Sequence, residues 1–484
     1  MKKLEKILES IEVLNDLSLA DQAVNDVQID SRQCTEGSLF IAYQGYAQDS
    51  HEYIDSAVAN GAKYVVLDNK EYIDKADVLY ILVDNSQQSI SRIAANFYEH
   101  PSRLMKVIGI TGTNGKTTTA NLLFDLFFRL GFSCGLVSTI EVKYGDTIIP
   151  AKLTTPDAVS LQRLFRQMYD AGITHVFMEV SSHALHQGRV ADVDYDHAVF
   201  TNITHDHLDY HKTFKDYIYA KKLLFDGLAK HNSALVNIDD PNGKVMVQNS
   251  QASIYTYALR RPAKFKGKVI SNELSGLHMN IEGKDIFLKM VGGFNAYNAI
   301  AVYGTGIALG LEEQDVLREL SMLVTAEGRL DMISKEGVGY TAVVDYAHTP
   351  DALDKVIKTL VEVKKDKVKL ITVVGCGGDR DKTKRPKMAQ VAATKSDVLI
   401  LTSDNPRSED PEVIISDMYD GLDSELSNGV VRMSDRREAI KMACLLAKEG
   451  DIILIAGKGH EKYQEIKGKR FPFDDKKIVL SYMN

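Results

Sequence analysis

The stretch Gly109-Ile110-Thr111-Gly112-Thr113-Asn114-Gly115-Lys116-Thr117-Thr118 closes an apolar, β-branched run that begins at Leu104, and it leads into a segment with helical spacing from Ala120 to Leu130. A glycine-rich turn between a buried strand and a helix is where a phosphate loop belongs. Glycine lets backbone N–H groups turn inward, and a helix N-terminus favours an anion. In this reading Gly112, Thr113, Asn114, Gly115, Thr117 and Thr118 surround the phosphates, Lys116 brings a point charge to the β and γ oxygens, and the Thr117 hydroxyl can ligate magnesium. The general spacing asks for glycine at position 110, where Ile110 stands, so the pattern is missed by one residue. A Gly-Thr-Asn-Gly turn can also be no more than a tight strand-to-helix loop.

Outward from this loop, strand candidates (His175 to Met178, Ala198 to Phe200, Ala234 to Asn237) alternate with helical segments, as in a mainly parallel sheet with helices on both faces. Upstream, Val27 to Val83 holds short apolar runs such as Ser38 to Ala42 and Ala62 to Leu67 between Gly- and Asp-bearing turns, followed by a helix-like stretch, Ser89 to Tyr98. Downstream, a further α/β series starts near Tyr340 and includes Val368 to Val374, Val398 to Thr402 and Asp451 to Ala456. The fold class expected is α/β in three domains. These are a small N-terminal α/β domain (1–103), a central P-loop domain with a parallel sheet (104–330) and a C-terminal Rossmann-like α/β domain (331–484). No short repeat or low-complexity tract interrupts them.

Composition sets the class of partner. The 484 residues are 44% apolar and 26% charged, and 66 acidic side chains outnumber 58 basic ones, so nucleic-acid binding is not expected. The four cysteines, Cys34, Cys134, Cys376 and Cys444, form no C-x-x-C pair, which points to neither disulfides nor structural zinc and suits a reducing cytoplasm. No run reaches the roughly 18 apolar residues of a membrane span, so membrane insertion is not expected either.

Two further segments carry chemistry. Glu179-Val180-Ser181-Ser182-His183 ends a strand candidate, where a carboxylate can reach the magnesium of the phosphate loop or simply face solvent. His205-Asp206-His207-Leu208-Asp209-Tyr210-His211 is close to the H-x-H-x-D-H zinc pattern of metallo-β-lactamase-like hydrolases, but Tyr210 pushes His211 out of the ligand position. Spacing leaves magnesium and zinc both open. In Tyr217 to Phe225, helical spacing puts Lys221 on the face of Tyr217, Leu224 and Phe225. A lysine there snorkels, pairs with a carboxylate, or is modified into an anionic group that faces metal.

These motifs, in this order, resemble the Mur ligase family over nearly the whole chain. Thr111 to Thr117 is similar to its T-G-T-N-G-K-T loop, which tolerates the altered spacing. The resemblance implies catalysis by Lys116, Glu179, His207 and Lys221, with Mg²⁺ held by Thr117, Glu179, His207 and a carbamate on Lys221. ATP would be bound by the loop together with Asn295, Asn298, Arg329, Asp345 and His348. Ser31, Gly45, Tyr46, Thr154, Thr155, Ser181, Gln187 and Arg189 match positions that hold a UDP-muramoyl-dipeptide. Asp404-Asn405-Pro406-Arg407, with Arg380, Gly457 and Glu461, resembles the motif of members that add meso-diaminopimelate.

The activity implied is ATP-dependent amide formation on the D-glutamyl γ-carboxylate through an acyl phosphate, by a cytoplasmic monomer in peptidoglycan synthesis. Physical chemistry agrees with that choice of third substrate. A guanidinium binds the distal carboxylate of diaminopimelate through paired bonds. Lysine would leave it unpaired, at a cost of about 1–3 kcal/mol. The alternatives are a lysine-adding or folylpolyglutamate-forming relative, and a P-loop ATPase that makes no product.

Overall fold

The computed structural model describes residues 1–17, 19, 22–45, 48–74 and 77–483. Tyr46, expected at the UDP site, lies outside the described residues. The chain forms two compact units, Met1–Lys266 with Ile300–Glu319, and Gly267–Ala299 with Leu320–Asn484.

The first unit contains a four-stranded parallel sheet in the order Asp26–Gln28, Ser38–Ile41, Ala62–Leu67, Leu79–Leu82. A second sheet has a parallel centre in the order Cys134–Val137, His175–Glu179, Lys106–Thr111, His197–Phe200, Ser233–Asn237, Ser253–Ala258. From Lys106–Thr111 the chain first builds to one side and then returns to the other. The C-terminal ends of Lys106–Thr111 and its two neighbours therefore face a topological switch point, the usual ligand crevice of such sheets. The mainly parallel reading omits one feature: Glu141–Tyr144 and Thr147–Pro150 form an antiparallel hairpin at the sheet's edge. Its signal is the turn residue Gly145, at φ +51°, between two β-prone runs.

Helix boundaries differ from the periodic signal for identifiable reasons. Lys116–Arg129 starts four residues before Ala120, because Thr117, Thr118 and Thr119 are buried and packing overrides the weak helix propensity of threonine. Ser86–Phe97 starts three residues before Ser89, where the Asn85 side chain accepts from Gln88 N–H and caps a polar first turn. Phe214–Asp226, capped by Thr213, buries Tyr217, Lys221, Leu224 and Phe225 together, as their spacing requires.

In the second unit, Gly276–Ile281 pairs antiparallel with Lys284–Leu288 and with residues 267–273. A six-stranded sheet runs Asp331–Ile333, Thr341–Asp345, Ile452–Ala456, Leu370–Val374, Val398–Thr402, Val431–Met433, parallel except for its first strand. Its four central strands read as nearly unbroken apolar runs because both faces are covered: Val343, Leu401 and Leu454 pack into one core, Val344, Ile400 and Ile453 into another. A hairpin, half-buried in Tyr463–Ile466 and exposed in Lys469–Pro472, follows the last parallel strand. Among the described residues no helix is long and apolar enough to cross a membrane.

Candidate functional site

The strand Lys106–Thr111 continues through the buried Ile110, which is why the glycine of the general pattern is absent there: the turn starts only at Gly112. At Gly112, φ is +152° and a Cβ would lie 2.0 Å from Thr201 Oγ1, so only glycine fits. The loop is held from one side. Thr113 N–H donates to Asn202 O (2.8 Å), Asn114 N–H to Asn202 Oδ1 (3.0 Å), and Thr201 Oγ1 donates to Asn114 O (2.7 Å). Gly115, at φ +87°, opens the helix without a side-chain cap, leaving its N-terminus to receive an anion.

Two lysines converge on this loop. Lys116 Nζ donates to Gly112 O (2.9 Å) and Thr113 O (3.0 Å), and Lys221 Nζ donates to the same Gly112 O at 2.8 Å. Lys221 is buried, and burial followed by the Lys116 charge holds its amine well below the usual lysine range. Nζ lies 4.8 Å from the centre of the Tyr217 ring, whose hydroxyl meets Thr113 Oγ1 at 3.1 Å. His207, at φ +53°, sets its ring 4.9 Å from His183 and 6.1 Å from Tyr217.

The other histidines of that segment have separate partners. His205 stacks on Phe214, and the buried His211 meets Ser182 Oγ at 2.9 Å, with burial lowering its imidazole to about 4. Among the described residues no group of three or more His, Cys, Asp and Glu could hold a metal. Thr117 stands in the first turn of the helix, Glu179 pairs with Ile110 in register one strand over, and His207 is beside Tyr217.

Glu179 is fully buried at the end of its strand, accepting from Thr139 N–H (2.7 Å) and Thr139 Oγ1 (3.2 Å). The same strand end holds Thr155, whose hydroxyl donates to Glu179 O and accepts from Ser181 N–H. Thr154 reaches Thr139 Oγ1 (3.1 Å), Arg189 Nη1 donates to Thr155 O (3.2 Å), and Ser181 caps the helix Ser182–His186. Gly45, Gln187 and Arg189 line one cleft of about 770 Å³, where Gln187 donates to Tyr210 Oη (3.0 Å). Ser31 lines a second, of about 700 Å³, beside Asp30 and Arg32. Both clefts share Ile29, Tyr43 and Asp157. Arg32 pairs with Asp30 and lowers its carboxyl to about 2.

In the second unit, Asn295 and Asn298 are buried on the helix Gly293–Ala308, Asn298 Nδ2 donating to Asn295 Oδ1. Asp345 ends its strand accepting from Leu330 N–H (2.7 Å) and Ala347 N–H (2.8 Å); burial raises its carboxyl, and the Arg329 charge opposes that rise. The Arg329 guanidinium lies over the Tyr346 ring, and His348 is beside the same ring. After the strand Val398–Thr402, Asn405 Nδ2 donates to Glu461 (2.8 Å), and Gly457 lies so close to Asp404 that a Cβ would be 2.9 Å from its carboxylate. Arg407 Nη1 donates to Gly378 O (2.7 Å), and Arg380 is exposed on the neighbouring loop.

Comparison with known proteins bears on all three regions. Family models for the Mur ligase catalytic, middle and glutamate ligase domains match residues 23–98, 110–306 and 328–459. The chain belongs to the Mur ligase family. A relative from Cytophaga hutchinsonii is 48% identical over 484 residues, 100% of this chain and 99% of the relative. One from Bacteroides thetaiotaomicron is 45% identical over 100% of both chains. Both are named UDP-N-acetylmuramoyl-L-alanyl-D-glutamate--2,6-diaminopimelate ligase. A solved structure of the same name is 34% identical, with a TM-score of 0.72 over 100% of this chain and 98% of that one.

Several residues of this Mur ligase escape sequence reasoning. Lys458 is fully buried, and its ammonium is shared among Asn405 Oδ1 (3.0 Å), Glu461 (3.1 Å) and Asp404 (3.4 Å). Arg436 forms a buried two-pronged pair with Asp475 and donates to Ala456 O. Thr139, Thr201 and Asn202 hold Glu179 and the phosphate loop. Each is an ordinary polar residue in sequence, and the one available signal is position: Lys458 lies between Gly457 and Gly459 just after a strand.

Proposed function

We propose that this Mur ligase adds meso-2,6-diaminopimelate to the D-glutamyl γ-carboxylate of UDP-N-acetylmuramoyl-L-Ala-D-Glu, with ATP cleaved to ADP and phosphate, in cytoplasmic peptidoglycan synthesis. The carrying observation is the Asp404-to-Arg407 turn, whose Asp404 and Asn405 join Glu461 and Lys458 in one charged network, in a chain whose full-length relatives bear that name. The working domains are 1–103 for the UDP-sugar, 104–330 for ATP and 331–484 for the amino acid.

The γ-carboxylate attacks the ATP γ-phosphorus, ADP leaves, and an acyl phosphate results. Lys116 and the helix N-terminus behind it stabilise charge on the phosphates. The free amine of diaminopimelate then attacks the acyl carbon, phosphate departs with the C–O bonding pair, and the ammonium proton passes to solvent. Asn295, Asn298, Arg329, Asp345 and His348 bind the nucleoside. Ser31, Gly45, Tyr46, Thr154, Thr155, Ser181, Gln187 and Arg189 hold and orient the UDP-dipeptide. Arg407 and Arg380 face the distal carboxylate, and Asp404, Asn405, Pro406, Gly457 and Glu461 complete that pocket.

The donor set suits Mg²⁺. Thr117 and Glu179 offer hard oxygen, His207 one nitrogen, and Lys221 would supply further anionic oxygen once its neutral amine had added CO₂ and released a proton to solvent, leaving a carbamate. Bound there, Mg²⁺ would screen the phosphates and the attacking carboxylate from each other.

The test supplies ATP, Mg²⁺ and UDP-muramoyl-L-Ala-D-Glu with meso-diaminopimelate, with L-lysine, or with neither, and reads phosphate release and product mass. A tripeptide mass with meso-diaminopimelate alone is expected. A lysine product overturns the specificity, and amine-independent phosphate release makes the chain an ATPase.

A further inference from the structure

We propose that the hairpin Tyr463–Ile466/Lys469–Pro472 is a specificity clamp for the third substrate, in which Glu465 and Gln464 position Arg407. This rests on the function proposed above.

The turn from Asp404 to Arg407 does not hold its own shape. Arg407 sits in the left-handed region at φ +51°, which a residue with a Cβ adopts only when its surroundings impose it. The first hairpin strand and the turn after it do so on both sides of the residue: Arg407 N–H donates to Glu465 O at 2.9 Å, and Lys467 N–H donates to Arg407 O at 2.6 Å. The same strand takes the rest of the turn. Gln464 Nε2 donates to Asp404 O (2.7 Å), and Glu465 N–H donates to Asn405 Oδ1 (2.9 Å).

The guanidinium is aimed by the same element. The Glu465 carboxylate lies 3.6 Å from Arg407 Nε, while Gly378 O takes Nη1 at 2.7 Å. Nη2 has no hydrogen-bond partner among the described residues, so its protons, with the second proton of Nη1, can serve a ligand carboxylate. The Glu465 carboxylate thus attracts the Nε side of the guanidinium, beside the Gly378 O anchor, and balances the arginine charge when no ligand is bound. It acts through Arg407 and is a positioning residue, set on a hairpin whose outer strand, Lys469–Pro472, is exposed.

The experiment compares the full-length wild type with Glu465→Ala, Glu465→Gln, Arg407→Ala and the Glu465→Ala/Arg407→Ala double variant, measuring KM and kcat for meso-diaminopimelate and for L-lysine. Glu465→Ala is expected to raise the KM for meso-diaminopimelate about tenfold. Its kcat should change far less, preference over L-lysine should narrow, and the KM values for ATP and the UDP-dipeptide should stay put. Glu465→Gln, which keeps shape and loses charge, should fall between. Glu465→Ala should cost nothing further once Arg407 is alanine.

Additive losses, equal losses for all three substrates, or unchanged selectivity with a selective wild type would overturn the clamp alone. A wild type that makes no diaminopimelate product would overturn the clamp together with the function it rests on.

Discussion

An amine buried against a carbonyl oxygen and beside a second lysine is a poor place for a positive charge. Lys221 is in that position, with Gly112 O as its acceptor and Lys116 as its neighbour. A neutral amine is nucleophilic toward CO₂, whereas an ammonium is not, so the burial that looks unfavourable for lysine suits the proposed carbamate. Lys221→Ala is expected to lower turnover at least about a hundredfold, the scale of a lost electrostatic group at a reacting centre. Acetate or another short carboxylate should restore a measurable part of it. Assay of the variant with and without added acetate checks this, and full activity without rescue would remove the carbamate role. On the proposed function Arg407 selects the third substrate at the same scale: Arg407→Ala should weaken meso-diaminopimelate by about 1–3 kcal/mol, read as its kcat/KM, while lysine use changes little.

Single elements of the central sheet carry two further expectations. The turn at Gly112 has no room for a methyl group, because Thr201 and Asn202 occupy the space. Gly112→Ala should cost about 2 kcal/mol or more of stability and abolish nucleotide binding, measurable as a lower Tm that ATP no longer raises. The strand His197–Phe200 buries His197 completely, its Nδ1 meeting Ser233 Oγ at 2.7 Å, and burial lowers the imidazole from 6.5 to about 3. The unfolded chain therefore takes up a proton at His197 near pH 6.5 that the folded chain refuses until about pH 3. Its contribution is fully present above pH 6.5 and is lost as pH falls toward 3, by at most about 1.4 kcal/mol per pH unit. Unfolding of the wild type and His197→Asn between pH 7 and 4.5 should show a shallower loss in the variant.

At the scale of the whole molecule, apolar burial holds the fold, and the proposed Mg²⁺ has no part in it. Glu179 already has Thr139 as partner, and separate cores cover both faces of the sheet that precedes the Asp404 turn. Removing Mg²⁺ with a chelator is expected to stop turnover while Tm moves by no more than about 2 °C, unlike a domain that folds around its metal. A larger fall in Tm would mean that the metal is structural.

Much of this architecture was legible in the chain. The parallel strands declare themselves as apolar runs because strands buried on both faces have no polar side to show. The phosphate loop is legible because its requirements are local: glycine where φ is positive, lysine and threonine at a helix start. The hairpins at 141–150 and 463–472 are weakly marked in the sequence, since short edge strands partly in solvent carry weak patterns. By itself the sequence determined the α/β layering, the phosphate loop and the order of the motifs. Tertiary structure alone decided that Lys221 meets Gly112 across 109 positions, that Thr139 holds Glu179 across 40, and that Lys458 lies among Asp404, Asn405 and Glu461 across as many as 54. The reason is physical: a charge's protonation and aim depend on what folding brings against it, and those neighbours are distant in the chain.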